Sequence, residues 1–183
     1  MGYLRLVHST SPAPAHSEET CVAAFDRELD YVFSSLRRLG VASSELEDLA
    51  HEIFVVLYGN WPEVDRSRPL RPYLFGIAFR IVAAHRRRRS REVCVAVPEP
   101  EDVGQSPELK LQARQSAALL AGALKQIPLP RRAVLIMHDL DEIPIRDIAE
   151  TLSITRFGAY ARLRKARLEL RAAVQRQRLG VRK

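Results

Sequence analysis

The chain has 183 residues, 46% of them apolar and 28% charged, with 29 Lys or Arg against 22 Asp or Glu for a net charge of +7. These proportions are ordinary for a folded protein of one domain or two small ones. Cys21 and Cys94 have neither the close pairing of a zinc site nor the number needed for a disulfide framework, and no apolar run reaches bilayer-spanning length.

Residues 1–19, with Pro12 and Pro14 among small polar side chains, read as a disordered lead. They lack the apolar stretch of a secretory signal, so the expected compartment is the cytoplasm. Phe25, Leu29, Val32 or Phe33, Leu36 and Leu39 then recur at helical spacing, and Gly40 suits the left-handed residue that ends such a helix. Ser43 or Ser44 is placed to cap the next helix, with Glu47 three positions beyond Ser44 as in a capping box. Leu46, Leu49, Ile53 and Val56 or Leu57 form its buried stripe. Glu47, Asp48, His51 and Glu52 make the other side acidic. After the break at Gly59-Asn60-Trp61-Pro62, a polar connection leads to a third helix from about Leu70 to Arg88, with Leu74, Ile77, Ala78, Ile81 and Val82 inward. Six arginines and no acid lie between Arg80 and Arg91. Arginines suit the negative end of a helix dipole, yet four in a row face every direction, so the run reads either as a solvated helix end or as a nucleic-acid surface.

Residues 92–108 reverse the charge, with five acids, no Lys or Arg, three prolines and Gly104. They read as a linker between a first domain at 20–91 and a second at 109–176. The second opens with Leu109, Ala113, Ala117, Leu120 and Leu124 on one helix face; Pro128 and Pro130 then suit the start of a short buried helix. Pro144 suits a further helix start, and Ile145, Ile148, Ala149 and Leu152 repeat at helical spacing up to a polar break at Ser153-Ile154-Thr155. Tyr160, Leu163, Ala166 or Arg167, Leu170 and Val174 resume the pattern. Two helices across so short a break make a helix-turn-helix, whose second member enters the DNA major groove. From Arg156 onward there are ten Lys or Arg and one acid, Glu169, and residues 177–183 form a basic tail. The residues alone therefore predict an all-α protein of two domains that binds duplex DNA. Of the 29 positive residues 25 are arginine, the side chain that pairs bidentately with phosphates and guanine edges. No nucleophile motif, glycine-rich phosphate loop or catalytic carboxylate pair is present. Asp48 and Glu52 share a helix face without a cleft, and His138 beside Asp139 reads as a surface or capping feature. Neither an enzyme nor a cofactor is expected.

Two motif sets occur in order across the linker: ELEDLAHEIFVVLY with DRSRPLRPYLFGIAFRIVAAHRRRR, then LLAGALKQIPLPRRAVLIMHDLDEIPIRDIAETLSITRFGAYARLRKARLELR. Residues 22–174 thereby resemble the extracytoplasmic-function group of bacterial RNA polymerase sigma factors, in the sigma-70 family. The resemblance implies a region 2-like first domain and a region 4-like second domain. It places Asp48, Leu49, His51, Glu52 and Phe54 on the family's acidic helix, D-L-x-Q-E-x-F, which docks on core RNA polymerase; His51 stands where Gln is usual. Asp65 to Pro69 matches the loop that receives a flipped base of the −10 element. Asp65, Arg66, Ser67, Arg68 and Arg71 are thus implied as −10 contacts, with Arg80 where Asn is common and Arg86, Arg87, Arg88 and Arg89 along the strand. Tyr73 replaces the family's Trp. In the recognition helix the family's G-T-V-K-S-R-L aligns with Phe157 through Leu163, without the family's preceding cap and small polar residues. Ala159, Leu163 and Ala166 are expected in the core, and Arg156, Phe157, Tyr160, Ala161, Arg162, Arg164 and Lys165 at the −35 duplex. Phe157 either touches a thymine methyl or completes the small core, and Arg164 meets a guanine or a phosphate. The implied function is a promoter-specificity subunit that binds core polymerase, recognises −35 and −10 elements and supports promoter opening. Its implied partners are core polymerase, promoter DNA and an anti-sigma protein, with no membrane insertion. A helix-turn-helix regulator acting without polymerase is the alternative, and a helical protein binding an acidic partner is a third.

Overall fold

The computed structural model describes residues 19–89 and 118–180. The acidic linker, Cys94, most of the expected lead, the start of the helix expected from Leu109 and the end of the basic tail lie outside them. All regular structure among the described residues is helical.

The first domain holds α1 (Cys21–Arg27), α2 (Leu29–Leu39), α3 (Leu46–Asn60) and α4 (Leu70–Arg89). Thr20 accepts a hydrogen bond from the Ala23 amide (3.2 Å) and starts α1. The pattern from Phe25 to Leu39 is not one helix. Glu28 leaves helical geometry (φ −100°, ψ 7°) and turns its carboxylate towards Arg71, whose Nε donates to it at 2.7 Å. Gly40 ends α2 with φ +86°, the left-handed conformation in which a side chain would be strained. The expected capping box before α3 is not formed. A 3-10 turn, Ser43–Glu45, leads the chain in, and Glu45 at the N-cap makes no side-chain cap bond. Leu46, Leu49, Ala50, Ile53 and Leu57 face inward, whereas Val56 is exposed; of the two candidate inner positions, Leu57 holds the core.

The second domain holds helix 118–125 (α5), α6 (Leu129–Leu135), α7 (Ile145–Thr151) and α8 (Arg156–Gly180). Pro130 lies in the first turn of α6, where its missing N–H costs nothing. A π-helical turn, Ile136–Leu140, extends α6 with Ile136 and Met137 buried, and the Ile143 amide closes back on the Met137 carbonyl at 2.8 Å. Pro144 sits one position before α7 rather than as its first helical residue. Two ion pairs fasten α8 to the α6 side: Arg131 grips Glu169 bidentately (2.7 and 2.9 Å) and Arg167 grips Asp139 (2.6 and 2.9 Å).

The halves pack on one another, and a single apolar cluster runs through both. Gly76 in α4 permits the approach of α7, since a Cβ there would lie 2.8 Å from Thr151 Cγ2. Asp141, before α7, accepts from the Tyr31 hydroxyl (2.8 Å) and from Arg38 (3.0 Å), both on α2. Arg132 of α6 is 1% exposed and has no carboxylate partner among the described residues. It donates instead to the carbonyls of Ile127, Lys125 and, across the interface, Leu39 (2.7 to 3.1 Å). A buried unpaired cation costs several kcal/mol, and hydrogen bonds to a charged group return about 1.5–3 kcal/mol each, so this carbonyl cage is what keeps the site tolerable. Burial and the neighbouring Arg86 pull the Arg132 pKa down to about 10, which leaves it charged at neutral pH.

Candidate polymerase and nucleic-acid interfaces

The outward face of α3 carries Asp48, His51 and Glu52 within one helical turn, all exposed. Asp48 and Glu52 make no hydrogen bond or ion pair among the described residues, so both carboxylates are available to a basic partner. Leu49 is a correction: at 2% exposure it belongs to the core between α3 and its neighbours and offers nothing to an external surface. Phe54 is half-buried between Phe25 and Tyr58, ring centroids 5.2 and 5.9 Å away. Sequence periodicity missed the continuation of this face. Val55 (54% exposed) and Tyr58 (62%) extend the acidic stretch into an apolar one. Their signal was present, because Val55 lies three or four residues along from Glu52 and His51, and Tyr58 three along from Val55.

The second surface is the connection from Trp61 to Pro69 and the exposed side of α4. Asp65 folds the loop by accepting from the Ser67 amide (3.0 Å) and hydroxyl (2.6 Å), and these bonds hold its carboxyl below the usual carboxylate range. Arg66 lies over the Trp61 ring, 5.2 Å from its centroid. Trp61, Val64, Arg66 and Arg71 are among the residues lining an open cavity of about 610 Å³. Arg71 packs over Tyr31 (5.2 Å) while bonded to Glu28. Arg68 is engaged by the second domain: its guanidinium donates to both Glu150 carboxylate oxygens (3.0 and 3.2 Å), with Asp147 at 3.9 Å. Arg80 is exposed.

The arginine run at the end of α4 divides. Arg86 is a correction, because its guanidinium donates to the Leu39 carbonyl (2.7 Å) at the C-terminus of α2 and is taken up by the fold. Partial burial lowers its pKa. Arg89 pairs with Glu45 (2.7 Å), and Arg87 bonds the Ala83 carbonyl (3.2 Å) while remaining exposed. Arg88 is exposed.

The third surface is the start of α8. Leu152 to Thr155 join α7 to α8, with Ser153 left-handed (φ 52°) and the Ile154 amide bonded to the Ala149 carbonyl at 2.9 Å. The helix is capped after all. Thr155 Oγ1 accepts from the Gly158 amide at 3.0 Å, replacing the family's cap with a residue that does the same work. Ala159, Leu163 and Ala166 are buried, as expected. Phe157 is 84% exposed and Tyr160 61%, so neither completes the core. Arg156, Ala161, Arg164 and Lys165 are exposed with them, and Arg162 is half-buried. Among the described residues no group of three or more His, Cys, Asp or Glu is placed to hold a metal, and no helix is long and apolar enough to cross a membrane.

Among the described residues, a helical domain with exposed acids on α3 is joined to a helix-turn-helix whose second helix carries an exposed basic face, the build of a DNA-binding protein. Two family models match: Sigma-70 region 2 over residues 24–92 and Sigma-70, region 4 over residues 111–170, together well over half of the chain. The chain is 24% identical over 145 residues to the RNA polymerase sigma factor NccH of Alcaligenes xylosoxydans xylosoxydans, covering 76% of this chain and 78% of that one. Its fold is similar to that of the sigma factor RpoE from Bartonella quintana, solved with the anti-sigma factor NepR (TM-score 0.65, 21% identity, 82% of this chain and 96% of that one). It is also similar to CnrH solved with the cytosolic domain of CnrY (TM-score 0.58, 18% identity, 85% and 87%). The chain belongs to the sigma-70 family and is a promoter-specificity subunit of RNA polymerase, not an enzyme.

Proposed function

We propose that three separate faces divide the work. Asp48, His51 and Glu52, continued by Val55 and Tyr58, dock on core polymerase, where unpaired acids beside an apolar strip suit a basic surface with an apolar centre. The loop from Asp65 to Arg71, with Arg80, Arg87 and Arg88, holds the −10 strand. The cavity beside Trp61 is large enough for an unstacked base, and an aromatic wall with arginines is the usual means of holding one. Arg156, Phe157, Tyr160 and Arg164 read the −35 duplex, with Ala161, Arg162 and Lys165 beside them. The two units are residues 20–91 and 109–176, joined by the acidic linker at 92–108. The work is cytoplasmic, where the polymerase is, and an anti-sigma partner of the kind seen with the two solved relatives would act by covering these faces.

One observation carries the reading furthest: the split of α8 into a fully buried Ala159–Leu163–Ala166 stripe and an opposite face of aromatics and cations with no carboxylate. A second consequence is conformational. Elements named −35 and −10 lie roughly 25 base pairs apart, about 85 Å at 3.4 Å per pair. In the closed chain Arg68, in the −10 loop, holds Glu150 on the helix next to α8. The two domains therefore separate before both elements are engaged.

Transcription reconstituted from core polymerase, the chain and a promoter library tests the assignment. Charge reversal at Asp48 and Glu52 is expected to weaken polymerase binding, and Arg164→Ala to weaken −35-dependent initiation. Unchanged transcription with both variants would overturn it.

A further inference from the structure

The aromatic pair on α8 has no role in holding the fold. Phe157, 84% exposed, is the most open of the large apolar side chains described, and Tyr160, one turn along, is 61% exposed. Thr155 caps the helix through Gly158, and a Cβ at Gly158 would come within 3.1 Å of that cap oxygen. The start of α8 is thus set by its cap, and Phe157 is left free to project. Around the rings stand Arg156, Arg164 and Lys165, all exposed, while the helix's one acid, Glu169, is occupied by Arg131. A face of this sign fits a polyanion better than an apolar protein groove.

The edges of base pairs in the major groove present donors and acceptors, with one apolar exception, the C5 methyl of thymine. An exposed phenyl ring carried into that groove has no other apolar partner there. Residues three apart share one face of a helix with about 5–6 Å between their Cβ atoms, a span within which two large rings reach base pairs stacked about 3.4 Å apart. We propose that Phe157 and Tyr160 determine −35 specificity by packing against the methyl groups of thymines at two adjacent base pairs, on either strand. The flanking cations hold the phosphates and set the register. This rests on the assignment of α8 as the −35-reading helix.

The test uses holoenzyme assembled from core polymerase and the full chain. A promoter is first selected from a library with the wild-type holoenzyme. Each −35 thymine is then replaced by uracil, which removes the methyl and leaves the pairing edge intact. Uracil at two neighbouring positions is expected to weaken promoter binding about four-fold each, the loss that follows from unburying one methyl-sized group. Phe157→Ala is expected to weaken binding to the thymine promoter by a similar or larger factor and to abolish the response to uracil at its own position. Tyr160→Phe keeps the response at the other. Phe157 is exposed, so the alanine variant retains the fold. Equal binding of thymine and uracil promoters would overturn the inference, as would an undiminished uracil response in Phe157→Ala. A loss of core binding by Phe157→Ala without DNA, with the uracil response intact, would also overturn it by giving the ring to a protein contact. A wild-type holoenzyme with no −35 dependence at all would remove the α8 assignment and this inference with it, and is distinguished because every −35 substitution is then silent.

Discussion

Asp141→Asn tests whether the interdomain contact sets how readily the chain opens. The Asp141 side chain is 7% exposed and joins two donors of α2, the Tyr31 hydroxyl and Arg38. Asparagine keeps the shape and one acceptor, but it removes the charge and turns an amide N–H₂ towards a donor. A hydrogen bond to a charged group contributes about 1.5–3 kcal/mol, and Arg38 is partly solvated, so the combined loss is discounted to about 2 kcal/mol. That corresponds to roughly a 30-fold shift towards the open form, at 1.4 kcal/mol per factor of ten. A ligand that binds only the open form sees its apparent affinity rise with the open fraction. On the proposed division of faces the promoter-bound chain holds its two domains apart, so the apparent affinity of the variant for a core polymerase–promoter assembly is expected to rise towards that factor. Fluorescence anisotropy of labelled chain would measure it, with circular dichroism showing unchanged helix content. Equal or weaker affinity with intact helices would refute the reasoning, because the Asp141 contact would then not restrain the domains.

Gly76→Ala is expected to act in the same direction by sterics, since its Cβ would lie 2.8 Å from Thr151 Cγ2 and force α4 and α7 apart; small-angle scattering should show a larger radius of gyration. Ser153→Gly should raise the thermal midpoint, because a left-handed non-glycine residue costs about 1–2 kcal/mol; an unchanged or lower midpoint would show that the serine side chain compensates. Asp139 has its pKa lowered, first by the Arg167 hydrogen bond, so its contribution to stability is full above the ordinary carboxylate range and is lost as pH falls through the depressed value. Asp139→Asn should therefore flatten the fall in melting temperature as pH drops below the ordinary carboxylate range, and an unaltered acid profile would count against the pair. Arg86→Met should lower the midpoint by removing the Leu39 carbonyl bond, while leaving the salt dependence of −10 strand binding unchanged; a shallower salt slope would return Arg86 to the DNA surface.

Much of this protein is legible in one dimension because helices advertise their buried faces by period. The stripes of α3, α4 and α7, the Gly40 stop and the helix-turn-helix break follow from local residue order, whereas the period read in α8 from Tyr160 starts one residue off, since Tyr160 is exposed and Ala159 is the buried position. So do the acids at Asp48 and Glu52 and the two motif sets that mark the family. Local order was also enough to limit Phe157 to two roles, but it had no means of choosing between them. That choice depends on what the rest of the domain packs against α8, and there the exposure of the ring decides.

What tertiary structure alone decided concerns residues whose partners lie far away in sequence. Leu49 and Arg86 share motifs with surface residues, yet the first is taken by the core and the second by the carbonyl end of α2. Arg132 reads as one arginine among many until Leu39 arrives from the other domain to complete its cage. Asp141 and Glu150 look like loop and helix acids until Tyr31, Arg38 and Arg68 meet them. Side-chain period reports which way a residue points from its own helix. Whether that direction holds water, DNA or another helix is set by long-range packing, and no local pattern carries that information.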